Sequence, residues 1–166
     1  QLESLQSFVH RTFNGIDAVT FIKALQNIYL NHGGLEACFV KHQEEYSLQK
    51  SIHEFKKVFF EVEHFPRTQK HVSDPLNNSA AKRINMYLRW MVRNDNKGVD
   101  FGIWKNISPA QLVIPIDVHV ARVAKRLNLL QNNTPDWQAA LELTAYLRTL
   151  DKHDPVKYDF ALFSLG

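Results

Sequence analysis

The chain has 166 residues, of which 45% are apolar and 22% charged, enough to bury a core and ordinary for one folded domain. That balance excludes extended disorder, and no apolar run approaches the roughly 20 residues a membrane helix needs. The net charge of +3 is modest but uneven: between His64 and Arg93 six basic residues face the single acid Asp74, the local excess that a phosphate-binding surface requires.

The one cysteine, Cys38, can form neither an internal disulfide nor a thiolate cluster, so a small buried hydrophobe is its expected role. No signal peptide opens the chain, and a reducing, cytoplasmic setting follows as the expectation. The chain starts at Gln1 and stops at Gly166 just after the apolar run "FALFSLG". It therefore reads as one helical domain, 1–166, lacking an upstream segment.

In chain order, "NGIDAVTFIKALQNIYLNHGG" predicts a first helix with Asp17 as N-cap, Gly33 as stop, and Phe21, Leu25 and Ile28 aligned. In "SLQKSIHEFKKVFFEVEHF", Leu48, Ile52, Phe55, Phe59 and Val62 recur in steps of four and three, one face of an amphipathic helix. A third helix is expected over 79–93, capped by Ser79, with Ile84, Tyr87, Leu88 and Met91 inward. A fourth begins at Asp117 and packs through Val120, Val123, Ala124 and Leu127. Thr134-Pro135 open a fifth carrying Trp137, Leu141, Thr144 and Leu147, and Asp154-Pro155 open a sixth. No strand alternation persists, so the expected class is all-α. Two long connections, 64–79 and 94–111, are rich in turn formers and are candidates for function.

Eight histidines are present, but no HxxxH or HExxH pair occurs, and neither a metal site nor a cofactor is expected. His153-Asp154 resembles a metal-phosphohydrolase dyad, yet it stands before Pro155, where an N-cap is needed. Lys82 is more informative. In "NNSAAKRINMYLRWMVR" it lies in the first turn of a helix, where a cation opposes the macrodipole. That field favours the neutral amine, the form that a nucleophilic lysine requires. Asp117, in "IPIDVHVARVAKRLNLL", is a good N-cap whose carboxylate could also face a pocket.

The pairing of "AAKRINMYLRWMV" with "IPIDVHVARVAKRL" resembles the catalytic core of the helix-hairpin-helix superfamily of DNA glycosylases. The strings "KRINMYLRWMVR", "GVDFGIW" and "DPVKYDFALF" are more closely similar to a bacterial family distantly related to the 8-oxoguanine DNA glycosylases. The resemblance implies a glycosylase-like catalytic core over 66–166, with 1–65 as the remainder of a first subdomain. It implies a base-excision repair enzyme with AP lyase activity on an oxidised purine. Lys82 is then the Schiff-base nucleophile, Asp117 the electrostatic partner, and His119 a substrate-facing neighbour. Phe101 and Trp104, in the loop before Asp117, are read as pocket residues, although packing also suits Trp104.

Phosphate contacts are expected from Ser79, Asn78, Arg83, Arg67, Lys70 and Arg122, with Arg89, Arg93 and Arg126 in the same basic pool. The implied partner is duplex DNA with a damaged base, bound by a monomer without a membrane or an iron–sulfur cluster. The family's L-P-G-[VI]-G hairpin is replaced by "DPLNNSAAK", and the connection from Lys82 to Asp117 is longer than usual. Those departures sustain a rival expectation, a non-catalytic helix-hairpin-helix-like module that binds nucleic acid or protein.

Overall fold

A computed structural model describes residues 5, 7–95, 98–132 and 134–165; the terminal residues Gln1 and Gly166 lie outside that set. Among the described residues the regular elements are helices, apart from a two-stranded hairpin, β1 (Val9–His10) with β2 (Phe13–Asn14), and one isolated bridge. The class is all-α, and no helix among the described residues is long and apolar enough to cross a membrane.

Helix α1 (Gly15–Asn31) starts one turn earlier than Asp17 suggested. Asn14 is the N-cap, accepting from the Asp17 N–H, while the Asp17 carboxylate accepts from the Asn14 N–H. Such a reciprocal box satisfies two orphan donors at once. The buried face of α1 is Asp17, Thr20, Ala24 and Ile28, and Leu25 is exposed. A buried acid outcompetes the apolar spacing here because its partners arrive from elsewhere: the Thr68 hydroxyl and the Arg67 guanidinium both donate to it.

Helix α2 (Leu35–Val40) was too short to leave a periodic signal; it buries Cys38 and Phe39. Helix α3 (Gln49–Phe59) buries Ile52, Phe55 and Phe59 as its spacing predicts, each contributing on the order of 1.5–3 kcal/mol. It packs on α1 and α2. The 64–79 connection is folded, with 3-10 turns at Pro66–His71 and Pro75–Asn77.

Helix α4 (Lys82–Val92) buries Asn85, Leu88, Arg89 and Val92. Ile84, Tyr87 and Met91 only pack against the core, so the inward face is rotated toward polar residues. The segment 112–116 then runs through the core, with Ile114 fully buried and its N–H donated to the Thr144 hydroxyl at 3.0 Å. Helix α5 (Val118–Arg126) follows the Asp117 cap and buries Val120, Ala121, Val123 and Ala124, while Leu127 is exposed. Helix α6 (Trp137–Leu150) is capped by Asp136 and buries Trp137, Leu143, Thr144 and Leu147.

Asp154 does not cap with its side chain. A 3-10 turn, Pro155–Tyr158, leads into α7 (Asp159–Ser164), and the Asp154 carboxylate instead accepts from Arg93 Nε at 2.8 Å. Gly102 sits at φ +57, and a Cβ there would lie 2.5 Å from Asn94 Cβ. Its lack of a side chain lets the chain at Gly102 approach Asn94 beside the Asn94–Phe101 bridge.

Candidate active site

Lys82 is the first residue of α4, and Asp117 is the N-cap of α5. The connection between them brings the two helix N-termini together: Lys82 Nζ donates to Asp117 Oδ2 at 2.5 Å. The other carboxylate oxygen, Oδ1, accepts from the backbone N–H of His119 at 3.0 Å and of Val120 at 2.9 Å. Capping and pairing are thus divided between the two oxygens. The Asp117 side chain is 21% exposed and that of Lys82 37%, so the pair is reachable from solvent. Burial pushes the Asp117 carboxyl upward, but the Lys82 hydrogen bond and charge with the two capping N–H groups outweigh it. The group is held below its ordinary range, as the anion.

The turn before Lys82 is over-determined. Asp74 accepts from the Leu76 N–H, the Asn77 amide and His53 Nδ1. Asn78 takes the left-handed conformation, φ 59, ψ 18, which Asn tolerates well. Its amide donates to Asp136 Oδ2 at 2.9 Å, tying the turn to the start of α6. Ser79 is not the helix cap; its hydroxyl accepts from the Ala81 N–H inside the turn. The cap position is Ala81, at φ 46, ψ 34, an uncommon conformation for a residue with a Cβ. Asn85, 2% exposed, donates its amide to the Ala80 carbonyl and holds this turn against α4.

The other residues expected at the site are dispersed. Trp104 is 7% exposed and packs edge-on to Tyr87 and beside Phe39, the packing role that its sequence also suits. Phe101 is 60% exposed, its N–H donated to the Trp90 carbonyl. His119 is exposed, and Arg122 Nη2 donates to its Nδ1 at 2.8 Å, leaving Nε2 as the protonated nitrogen.

Two members of the basic pool are corrected outright. Arg89 and Arg93 are 4% and 7% exposed. Arg89 pairs with Asp100 and Asp159, and Arg93 with Asp100 and Asp154. They anchor the 94–104 loop and the C-terminal helix to α4 and are not available to phosphate. Arg67 is half-engaged, donating to Asp17 and to the Thr12 carbonyl. Lys70, Arg83, Arg122 and Arg126 are exposed.

Three features had no local signal: the strained Ala81, the Asp136 tie to Asn78, and a cavity of about 700 Å³ lined by aromatic residues and by Arg83, next in sequence to Lys82. Its lining includes neither Lys82 nor Asp117. Among the described residues, no group of three or more His, Cys, Asp or Glu side chains is arranged to hold a metal ion.

No curated protein and no solved structure matches the chain. A family model described as "Protein of unknown function (DUF2400)" matches residues 1–166, and the chain belongs to that family.

Proposed function

We propose that the chain is a cytoplasmic, monomeric DNA glycosylase with AP lyase activity on an oxidised purine, built on a helix-hairpin-helix-like core. The observation that carries this reading is the Lys82–Asp117 pair: an amine and an anionic carboxylate, each at a helix start, in contact and open to solvent. The 3-10 turn Pro75–Asn77 and the left-handed residue Asn78 lead into α4, which Lys82 opens.

In the proposed reaction a damaged nucleotide leaves the DNA stack. Asp117 stabilises positive charge developing on the sugar as the glycosidic bond breaks. The Lys82 amine, after its proton passes to the departing base, bonds to C1′ as the glycosidic bond breaks, and cleavage of the C1′–O4′ bond then opens the sugar ring. The resulting iminium then permits elimination of the 3′ phosphate. A substrate that enters between Lys82 and Asp117 replaces their hydrogen bond, so the pair is a resting state that the sugar opens. Arg83, Arg122 and Lys70 remain as exposed phosphate contacts, with Asn78 and Ser79 in the turn that would approach the backbone.

A second reading, a non-catalytic module that binds nucleic acid or protein, draws support from the same turn. The Asn77 and Asn78 amides are occupied by Asp74 and Asp136, and no glycine lets the backbone come close to a phosphate. Incubation with duplexes carrying a panel of oxidised purines separates the two. Base release and a nick at the lesion support the enzyme, whereas salt-dependent binding with intact strands supports the module.

A further inference from the structure

The cavity of about 700 Å³ beside α4 has a consistent chemistry. Its deep walls include Phe39, Phe55 and Phe59, all under 9% exposed, with Tyr87 from α4. Phe39 and Phe55 stack at 4.6 Å, and Phe21 meets Phe59 edge-on at 4.8 Å. Five of its lining residues, Phe8, His10, Arg11, Thr12 and Arg83, are exposed, and the two arginines make the rim basic. Asp and Glu do not occur among the lining residues.

The His71 side chain is 8% exposed and lines the cavity. Its ring meets Phe13 edge-on at 5.0 Å. His71 Nε2 is buried 3.3 Å from Asp17 Oδ2, an ion-pair contact that lacks hydrogen-bond geometry.

We infer that this cavity binds a nucleotide, with the base between the aromatic walls and the phosphate against Arg11 and Arg83. Flat aromatic walls select a planar ring. A rim of guanidinium groups with no acid selects an anion. An aromatic amino acid would bring an ammonium to that rim with nothing to receive it. The ligand has two possible sources, a free nucleotide or one unit of a nucleic-acid strand. The inference rests on the cavity alone and does not depend on chemistry at Lys82.

Calorimetric titration of the chain with guanosine monophosphate, guanosine, inorganic phosphate and a lesion-free single-stranded tetranucleotide tests it. One site per chain is expected, with guanosine and phosphate each weaker than the nucleotide. Arg11→Gly with Arg83→Ala, both at exposed positions, should weaken binding at least about tenfold, and Lys82→Gln should leave it unchanged. Binding of the monophosphate points to a free nucleotide as the source, and binding of the tetranucleotide alone points to a strand; both support the cavity. No binding of either ligand, or binding indifferent to the double arginine variant, overturns the proposal. Loss of binding with covalent trapping at Lys82 intact would separate the failure of this inference from that of the enzymatic reading.

Discussion

Asp117 holds Lys82 with one carboxylate oxygen and the start of α5 with the other, at 2.5 Å to Nζ and at 2.9–3.0 Å to two backbone N–H groups. The two roles separate by substitution. Asp117→Asn keeps an oxygen to cap with and should lie within about 1 kcal/mol of the parent. Asp117→Ala removes the cap and should cost about 1 kcal/mol, a fall in Tm of about 2–4 °C. Lys82 is partly solvated, so losing its partner adds little. Thermal unfolding of the two variants checks the order.

Acid sensitivity follows from several carboxyls held low. Burial pushes Asp17 upward, but the Thr68 hydroxyl, the Asn14 N–H and the charges of Arg67 and His71 outweigh it. Asp74 and Asp117 are likewise lowered, and the Lys157 ammonium brings Asp151 down to about 2. A carboxyl depressed in the folded state adds stability above its unfolded value. That stability disappears as pH falls through the folded value. Asp159, raised by burial against the pull of Arg89 and Lys82, works in the opposite sense and offsets part of the trend. Tm should stay level from about pH 7 to 5 and fall below about pH 4, with a shallower fall in Asp17→Asn. A Tm rising below pH 4 contradicts this.

The buried arginines and the exposed ones should behave differently. Asp100 is fully buried at its side chain and pairs with both Arg89 and Arg93. Asp100→Ala leaves two desolvated guanidinium groups short of a partner and should cost about 3–5 kcal/mol in chemical denaturation. Arg122→Ala and Lys70→Ala, on exposed side chains, should change stability by about 0.5 kcal/mol or less. If they meet phosphate, each should lower the salt slope of DNA binding by about one.

Ala81 is the strained link before the candidate nucleophile. Glycine there relieves about 1–2 kcal/mol of left-handed strain. It also removes a buried methyl worth about 0.8 kcal/mol and loosens the unfolded chain by about 0.4–1 kcal/mol. The terms nearly cancel, so Ala81→Gly should be close to neutral. Ala81→Val, β-branched at positive φ in a filled site, should lose more than about 2 kcal/mol. Equal Tm for the two variants would mean the turn relaxes freely.

Local periodicity made α3, α5 and α6 readable because their apolar rows face one core. It misplaced the inward face of α1 and α4, where Asp17 and Arg89 are buried by partners distant in the chain and Asn85 by the Ala80 carbonyl of the preceding turn. Arg89 and Arg93 read as surface charge because Asp154 and Asp159 lie more than 60 positions away. The contact between Lys82 and Asp117 was anticipated through resemblance, since nothing in either local segment specifies the other. The short α2 and the two-residue strands carry too few residues for any period to register.

The most direct measurement is borohydride trapping on duplexes that contain either an abasic site or 8-oxoguanine. The account predicts a covalent adduct with the parent chain on both and none with Lys82→Gln. Asp117→Asn should retain the adduct at the abasic site, where the glycosidic bond is already broken, and lose it on 8-oxoguanine. An adduct of equal yield with Lys82→Gln, or no adduct with the parent on either duplex, contradicts the account.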